Sequence, residues 1–451
     1  MADNNKFMNI LSRLFTEYGM LSILLLLCLL FSILTISEQY PSGEKAAAIM
    51  SKTLIEQYQS SSAILVIAGN NEDDSVFACS IEKLLISKGI QSTDVITGDP
   101  SAIKAGLMAM ADSAGRIDVI AASHNIAPIV NTIKMQLPCY SQTVIVTPPS
   151  EKWPTFLLTD NLRNVANQIT VIAIIAIGMT LVIITAGIDL SVGSLIALSA
   201  VVTAWLIGQA GGDNASAGIL LLSALGGILL CGLTGAFSGF MVTRFRIPPF
   251  IATLAIMQVA AGVAYIISQG KPIYRIPEIF IWLGRGADPF LKIPYAVILM
   301  IILYVIAHII MSRTALGRYI YAVGGNEEAA RLSGIRVNNI LLLVYTVCGI
   351  FAGLGGVIMA SQLKSGAPTY GLSYELYVIA AVVVGGTSLN GGEGKILGTL
   401  IGAFIIGVVQ NGMNLINVET YTQKVILGLI ILGAVLLDRL KQRGFKFRIV
   451  H

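Results

Sequence analysis

Long apolar runs dominate this chain, and one polar stretch interrupts them. About twenty helical residues cross the hydrocarbon core of a bilayer. On that measure clear spans lie near 18–36, 165–186, 190–208, 218–241, 249–268, 294–312, 339–361, 395–412 and 420–437, with a weaker one over 373–385. The pattern predicts an α-helical polytopic membrane protein of about ten transmembrane helices. Residues 38–155 read differently. β-rich runs at Ala63–Ala68, Asp94–Thr97, Asp118–Ala122 and Thr143–Thr147 alternate with helical patterns near 74–88, 101–114 and 125–136. Asp99-Pro100-Ser101 suits a helix start and Lys88-Gly89 a helix stop. Strands alternating with helices predict a small parallel sheet with right-handed crossovers. The expected domains are 1–37 (N-terminus and first span), 38–155 (an inserted α/β unit) and 156–451 (the main membrane domain).

Composition agrees with this pattern. Of 451 residues, 55% are apolar and only 12% charged, about half the charge of a soluble domain. Lys6 and Arg13 precede the first apolar run, as in a signal peptide, but no clear small-x-small site follows, so it reads as a retained span. Lys and Arg near span ends set orientation. Arg244 and Arg246, then Arg313, Arg318, Arg331 and Arg336, then the tail Arg439, Lys441, Arg443, Lys446 and Arg448 all belong inside if both termini are cytoplasmic. Loop 269–292 dissents, holding Lys271, Arg275, Arg285 and Lys292 on the outer side. The α/β insert then lies outside; from Pro41 to Lys152 it holds 11 acidic and 8 basic residues. In an oxidising compartment Cys79 and Cys139 could pair. No basic run with interleaved aromatics points to nucleic acid, and no Cys/His spacing to a metal.

Polar groups at membrane depth are costly, so they face protein or a water-filled path. Asp189, with Ser191 and Ser194, stands in Thr185-Ala-Gly-Ile-Asp-Leu-Ser-Val-Gly-Ser194. It is either a cap at a short helix break or a pathway and gating group. A second candidate is the loop from Gly324 to Arg336. Asn326 suits an N-cap, Glu327 and Glu328 a first turn, and Gly334 a stop. This predicts a short amphipathic helix that either simply connects two spans or relays motion from a soluble partner. Gly187–Gly193 echoes Gly386–Gly392, a weak sign of an internal repeat. Gly235/Gly239, Gly349/Gly353 and Gly398/Gly402 mark either close helix packing or sliding surfaces for alternating access. Gly391-Gly-Glu-Gly-Lys395 imitates a phosphate loop, but Leu389 and Ile396 stand where that motif needs Gly and Ser/Thr. The chain is expected to have no ATPase site and no catalytic residues of its own.

Residues from about Phe156 to Arg443 resemble the ribose/xylose/galactose permease family of bacterial ATP-binding-cassette importers. The matching stretches are Ile174–Thr180, Ala186–Ser194, Arg246–Thr253, Gly324–Gly334 and Val384–Gly392. The resemblance implies a homodimeric or pseudo-dimeric channel in the inner membrane, separate ATPase subunits that use the ATP, and a periplasmic sugar-binding protein. It also implies that Asn326, Glu327, Glu328, Arg331 and Gly334 form the coupling helix to the ATPase. Ala186 stands where the family usually has Gly, and the insert at 38–155 is absent from typical members. That insert resembles one lobe of a periplasmic sugar-binding protein, most clearly at Gly115–Ser123. Open α/β sheets bind ligands at strand C-terminal ends, which nominates Asn70, Asn71, Ser123, His124 and Asn125 for ligand binding or docking. Otherwise these residues cap helices. A monosaccharide is the expected solute, with a nucleoside as the alternative. A membrane receptor with an outer sensing lobe would require an output domain, and none follows. An ion-coupled transporter would suit a cluster of intramembrane acids and His, which is lacking.

Overall fold

A computed structural model describes residues 19–58, 63–88, 92–112 and 117–442. Lys6, Arg13, Gly89, Gly115, Arg116, Arg443, Lys446 and Arg448 lie outside the described residues. The chain divides into two compact units. One is Ile36–Thr155; the other joins the residues before it to those from Phe156 onward. The first helix, α1 (Gly19–Leu34), belongs to the second of these.

The unit Ile36–Thr155 runs β1 (Ile36–Gln39), α2 (Gly43–Gln57), β2 (Ile64–Ala68), α3 (Glu72–Ser87), β3 (Ser92–Thr97), α4 (Pro100–Asp112), β4 (Val119–Ala122), α5 (Ala127–Met135), β5 (Val144–Val146) and β6 (Glu151–Pro154). Four strands form a parallel sheet in the order β3-β2-β4-β5. Strand side chains alternate between faces. Ile64, Val66 and Ala68 therefore pack with Met50 and Leu54 of α2 and Phe77 and Ile81 of α3. Leu65 and Ile67 pack on the other face with Ile103, Leu107 and Val130. Helix α2 and the ribbon β1–β6 are additions to the sequence-based outline. Strands β1 and β6 pair antiparallel, Ile36 opposite Pro154, so the unit starts and ends side by side. Lys45 and Glu151 form an ion pair of 2.7 Å within it. Cys79 and Cys139 are both exposed and unpaired.

The other unit continues with α6 (Thr159–Ile184), α7 (Val192–Gln209), α8 (Ala217–Phe245), α9 (Pro249–Ser268), α10 (Tyr295–Arg313), α11 (Ala315–Gly325), α12 (Glu327–Leu332), α13 (Val337–Leu363), α14 (Tyr374–Val384), α15 (Ile396–Leu415) and α16 (Thr420–Gln442). Among the described residues, seven helices are long and apolar enough to cross a membrane; Gly19–Leu34, Tyr374–Val384 and Thr420–Gly433 are shorter apolar helices. This is a mostly helical, multi-pass membrane protein. Helix α6 is its central post, buried almost without interruption from Ile169 to Ile184. Tyr304 donates to the Ala173 carbonyl at 2.9 Å, and the Thr180 and Thr399 hydroxyls bond at 2.7 Å, tying α10 and α15 to it. Thr35, just past α1, accepts from the Phe156 amide at 3.1 Å, and Phe31 lies 6.2 Å from the Phe156 ring.

The glycine pairs sit where backbones touch. Gly235 and Gly349 face each other across α8 and α13: a Cβ added to Gly349 would fall on the Cys231 carbonyl and 3.1 Å from Gly235 Cα. Gly353 meets the Ile228 Cα in the same way, and Gly398 and Gly402 meet the carbonyls of Gly385 and Ala381. Lipid provides no hydrophobic drive between helices, so this close contact supplies the packing energy. Gly349→Leu should therefore lower stability in detergent by at least about 2 kcal/mol. Gly262→Leu, at a position with open space around it, should leave the melting temperature unchanged; scanning fluorimetry of both variants checks this.

Candidate functional site

The break after α6 begins as a helix end. The Ala186 amide donates to the Ile183 carbonyl at 2.9 Å, and the Gly187 amide to the Val182 carbonyl at 2.9 Å. These two bonds define a Schellman cap, whose C′ residue is left-handed. Ala186 occupies that position with φ of 60°. The end of α14 repeats the motif: Gly386 donates to Val383 at 2.9 Å and Thr387 to Val382 at 3.2 Å, with Gly386 at φ of 88°. The two breaks thus correspond as Ala186 to Gly386, one residue out of step with the sequence echo of Gly187 and Gly386.

Beyond the cap a short stretch without regular structure, residues 187–191, leads to α7. Asp189 is fully buried. Its Oδ1 accepts from the Ser191 amide at 2.9 Å and the Ser191 hydroxyl at 2.6 Å. Among the described residues its Oδ2 has no conventional partner; the weakly donating Cys348 thiol lies beside it. Ser194 donates to the Ser191 carbonyl at 2.8 Å. Thr253 of α9 clamps this stretch: its hydroxyl accepts from Leu190 N at 3.1 Å and lies 3.3 Å from the Ile188 carbonyl. The buried Ile184 carbonyl accepts from Gly392 N at 2.8 Å. Gly324 packs against that same carbonyl, where no Cβ would fit. The backbone of the glycine loop that imitates a phosphate cradle is thus used to finish α6.

The coupling-helix candidates are organised by the same local rules. The Asn326 side chain accepts from Ala329 N at 2.9 Å and so caps α12. Glu327 and Arg331 form an i,i+4 ion pair of 2.7 Å. The Gly334 amide donates to Arg331 at 3.0 Å and Ile335 to Ala330 at 3.1 Å, a third Schellman cap with Gly334 at φ of 84°. Ala330 is buried, while Leu332 is 82% exposed.

A cavity of about 850 Å³ brings these parts together. It is lined by Thr185–Gly187, by Arg244 and Arg246, by Asn326, Glu327, Glu328 and Arg331, and by Tyr345 of α13. Gly334, Asp189, Ser191 and Ser194 do not line it. Asp189 lies behind the wall near Tyr345, whose buried hydroxyl has no partner among the described residues. Sequence reasoning missed Tyr345; a lone phenol in an apolar run was the available signal. Thr253 ended a family-like stretch but gave no sign of its clamping bond.

In the α/β unit the five nominated residues do lie past the C-terminal ends of β2 and β4, but they do different jobs. Asn71 caps α3, accepting from Asp74 N at 2.7 Å and donating to Asp74 Oδ2 at 2.8 Å. Asn70 and Asn125 are exposed, and the buried Ser123 hydroxyl has no partner among the described residues. His124 stacks on Tyr40 with ring centroids 3.3 Å apart. Of the five, it alone lines a cavity of about 310 Å³, with Pro128, Asn131, Ile145 and Thr147.

Interrupted apolar helices around a central post, with charged groups gathered at one end, are an architecture shared by many membrane transport proteins. The family described as "Branched-chain amino acid transport system / permease component" matches residues 161–435. The ribose import permease protein RbsC of Escherichia coli (strain K12) is 45% identical over 303 residues, 66% of this chain and 92% of that protein. RbsC of Bacillus subtilis (strain 168) is 43% identical over 288 residues, 64% of this chain and 87% of that protein. The D-allose transport system permease protein AlsC of E. coli K12 is 39% identical over 285 residues, 63% of this chain and 85% of that protein. No solved structure matches this chain at a significant level. The chain belongs to the ribose/xylose/galactose-type permease family of ATP-binding-cassette importers.

A left-handed Ala costs about 1–2 kcal/mol relative to an unstrained residue, and glycine avoids that cost. Ala186→Gly should raise thermal stability by about 1 kcal/mol; a melting temperature equal to or below that of the parent would contradict the strained cap.

Proposed function

We propose that this chain is the permease subunit of an importer that carries a monosaccharide across the bacterial inner membrane, powered by ATP hydrolysis in separate subunits. The observation that carries the reading is the assembly of Asn326, Glu327, Glu328 and Arg331 on the rim of one cavity with the break that ends α6. A soluble partner pressing on α12 would act directly on the end of the central helix. The named relatives import ribose and transport D-allose, which favours a pentose or hexose over a nucleoside. The seven long helices and three shorter apolar ones are taken together as ten spans, with both termini cytoplasmic and the α/β unit outside. Two permease copies form the channel, a periplasmic sugar-binding protein delivers the solute, and this chain holds no cofactor and hydrolyses nothing. Asp189, Ser191 and Ser194 brace the break and so influence gating from behind the cavity wall.

The α/β unit is assigned to docking of the binding protein. Its paired terminal strands suit an insertion, because a module whose ends lie side by side can be accommodated without parting α1 from α6. Replacing residues 41–150 by a short turn should leave ATPase-subunit assembly intact and lower uptake severalfold. Unchanged uptake would remove the docking role.

Glu328 is exposed on α12 and has no ion pair among the described residues. Glu328→Lys should keep the complex assembled yet lower sugar uptake per ATP hydrolysed at least tenfold. Wild-type coupling in this variant would refute the assignment of α12.

A further inference from the structure

A second cavity, of about 240 Å³, lies at the end of the bundle away from α12. Helix α13 leaves the α12 end at Val337 and reaches this cavity about 40 Å on, at 1.5 Å per residue. Its polar lining is Gln168 of α6, Gln362 of α13, Gln410 of α15 and the Tyr374 phenol of α14. The remaining walls are Ile169, Ile172, Met359, Leu363 and the bare backbone of Gly407. Among the described residues, no charged one lines it. A neighbouring cavity of about 600 Å³ is, by contrast, lined by Asp160, Arg163, Arg285, Asp288 and Lys292. Asn167 belongs to that charged mouth and also fixes the inner cavity. It accepts from Gln362 Nε2 at 3.0 Å through its backbone carbonyl, while its own amide donates to the Gly284 carbonyl at 3.0 Å. Gln362 is thereby held with its side-chain carbonyl as an acceptor.

We propose that Gln168, Gln362, Gln410 and Tyr374 form a solute-binding site that selects an uncharged, hydroxyl-rich ring within the membrane domain. This rests on the importer reading above and adds a second point of selection after the binding protein. Three primary amides in membrane-spanning helices are costly unless they face polar partners. Amides offer donors and acceptors together, which is what sugar hydroxyls need. A bare ion here would lose its hydration with no opposite charge to replace it. The phenol ring supplies an apolar wall for the C–H face of a sugar. The volume lies below the roughly 300–1,000 Å³ of pockets for drug-sized ligands, in keeping with a single sugar ring.

The test uses the full importer with its own ATPase and binding protein, and labelled D-ribose, D-allose and L-arabinose. The double variant Gln168→Leu/Gln410→Leu should cut maximal uptake about tenfold or more, the loss expected of two hydrogen bonds, and change the ratio among the three sugars. Gln410→Glu, close in shape but charged, should do the same in a complex that assembles normally by size-exclusion chromatography. Rates within twofold of wild type with unchanged ratios in the assembled Gln410→Glu complex would overturn the site alone. Absence of wild-type uptake for all three sugars would overturn the sugar reading and the site with it.

Discussion

A peptide carbonyl left unpaired in hydrocarbon costs several kcal/mol, and a membrane protein with interrupted helices must satisfy every one it exposes. Here that constraint is met at the end of α6. The Ile184 carbonyl takes the Gly392 amide at 2.8 Å, so one helix break is closed by backbone from the other. Gly324 presses on the same carbonyl because it has no side chain, and α12 begins only two residues after Gly325. The central post, the two breaks and the short charged helix therefore share one junction, and displacing any of them disturbs the bond that the others surround.

That junction also explains the division of labour among the polar residues. Asp189, Ser191 and Thr253 spend their hydrogen bonds on the stretch between α6 and α7 and leave the cavity to others. Glu327, Glu328, Arg331, Arg244 and Arg246 carry charge at its rim, where water reaches them. At the far end the charged mouth gives way to uncharged amides. Glycine contacts between α8 and α13 let two long helices pack backbone to backbone, which holds the frame around these polar sites.

Much of this architecture was legible in the sequence because apolar run length reports directly on membrane helices. The run at 249–268 coincides with α9, and the weaker run near 373–385 is the short α14. Capping chemistry was equally readable: Asn326 and Gly334 bound α12 through bonds that follow from their types and spacing. Long-range pairings were not. The β1–β6 ribbon joins residues more than a hundred positions apart, and Ser37 and Trp153 give no local sign of being partners. Helix α2 escaped notice because its buried stripe is made largely of small residues, Ala46 and Ala47 among them. The offset between the two breaks arose because the left-handed position of the first is filled by Ala186, while the eye aligns Gly187 with Gly386. Gln168, Gln362 and Gln410 are scattered over three helices, and only packing brings them to one cavity.

As a permease subunit, this chain is a conduit that other subunits energise. Reconstitution of the purified chain in liposomes, with and without its ATPase subunit and binding protein, measures this directly. Uptake of a labelled monosaccharide should require both partners and ATP, and should be indifferent to a proton or sodium gradient. Gradient-driven uptake by the chain alone, or ATP hydrolysis by the chain alone, would contradict it.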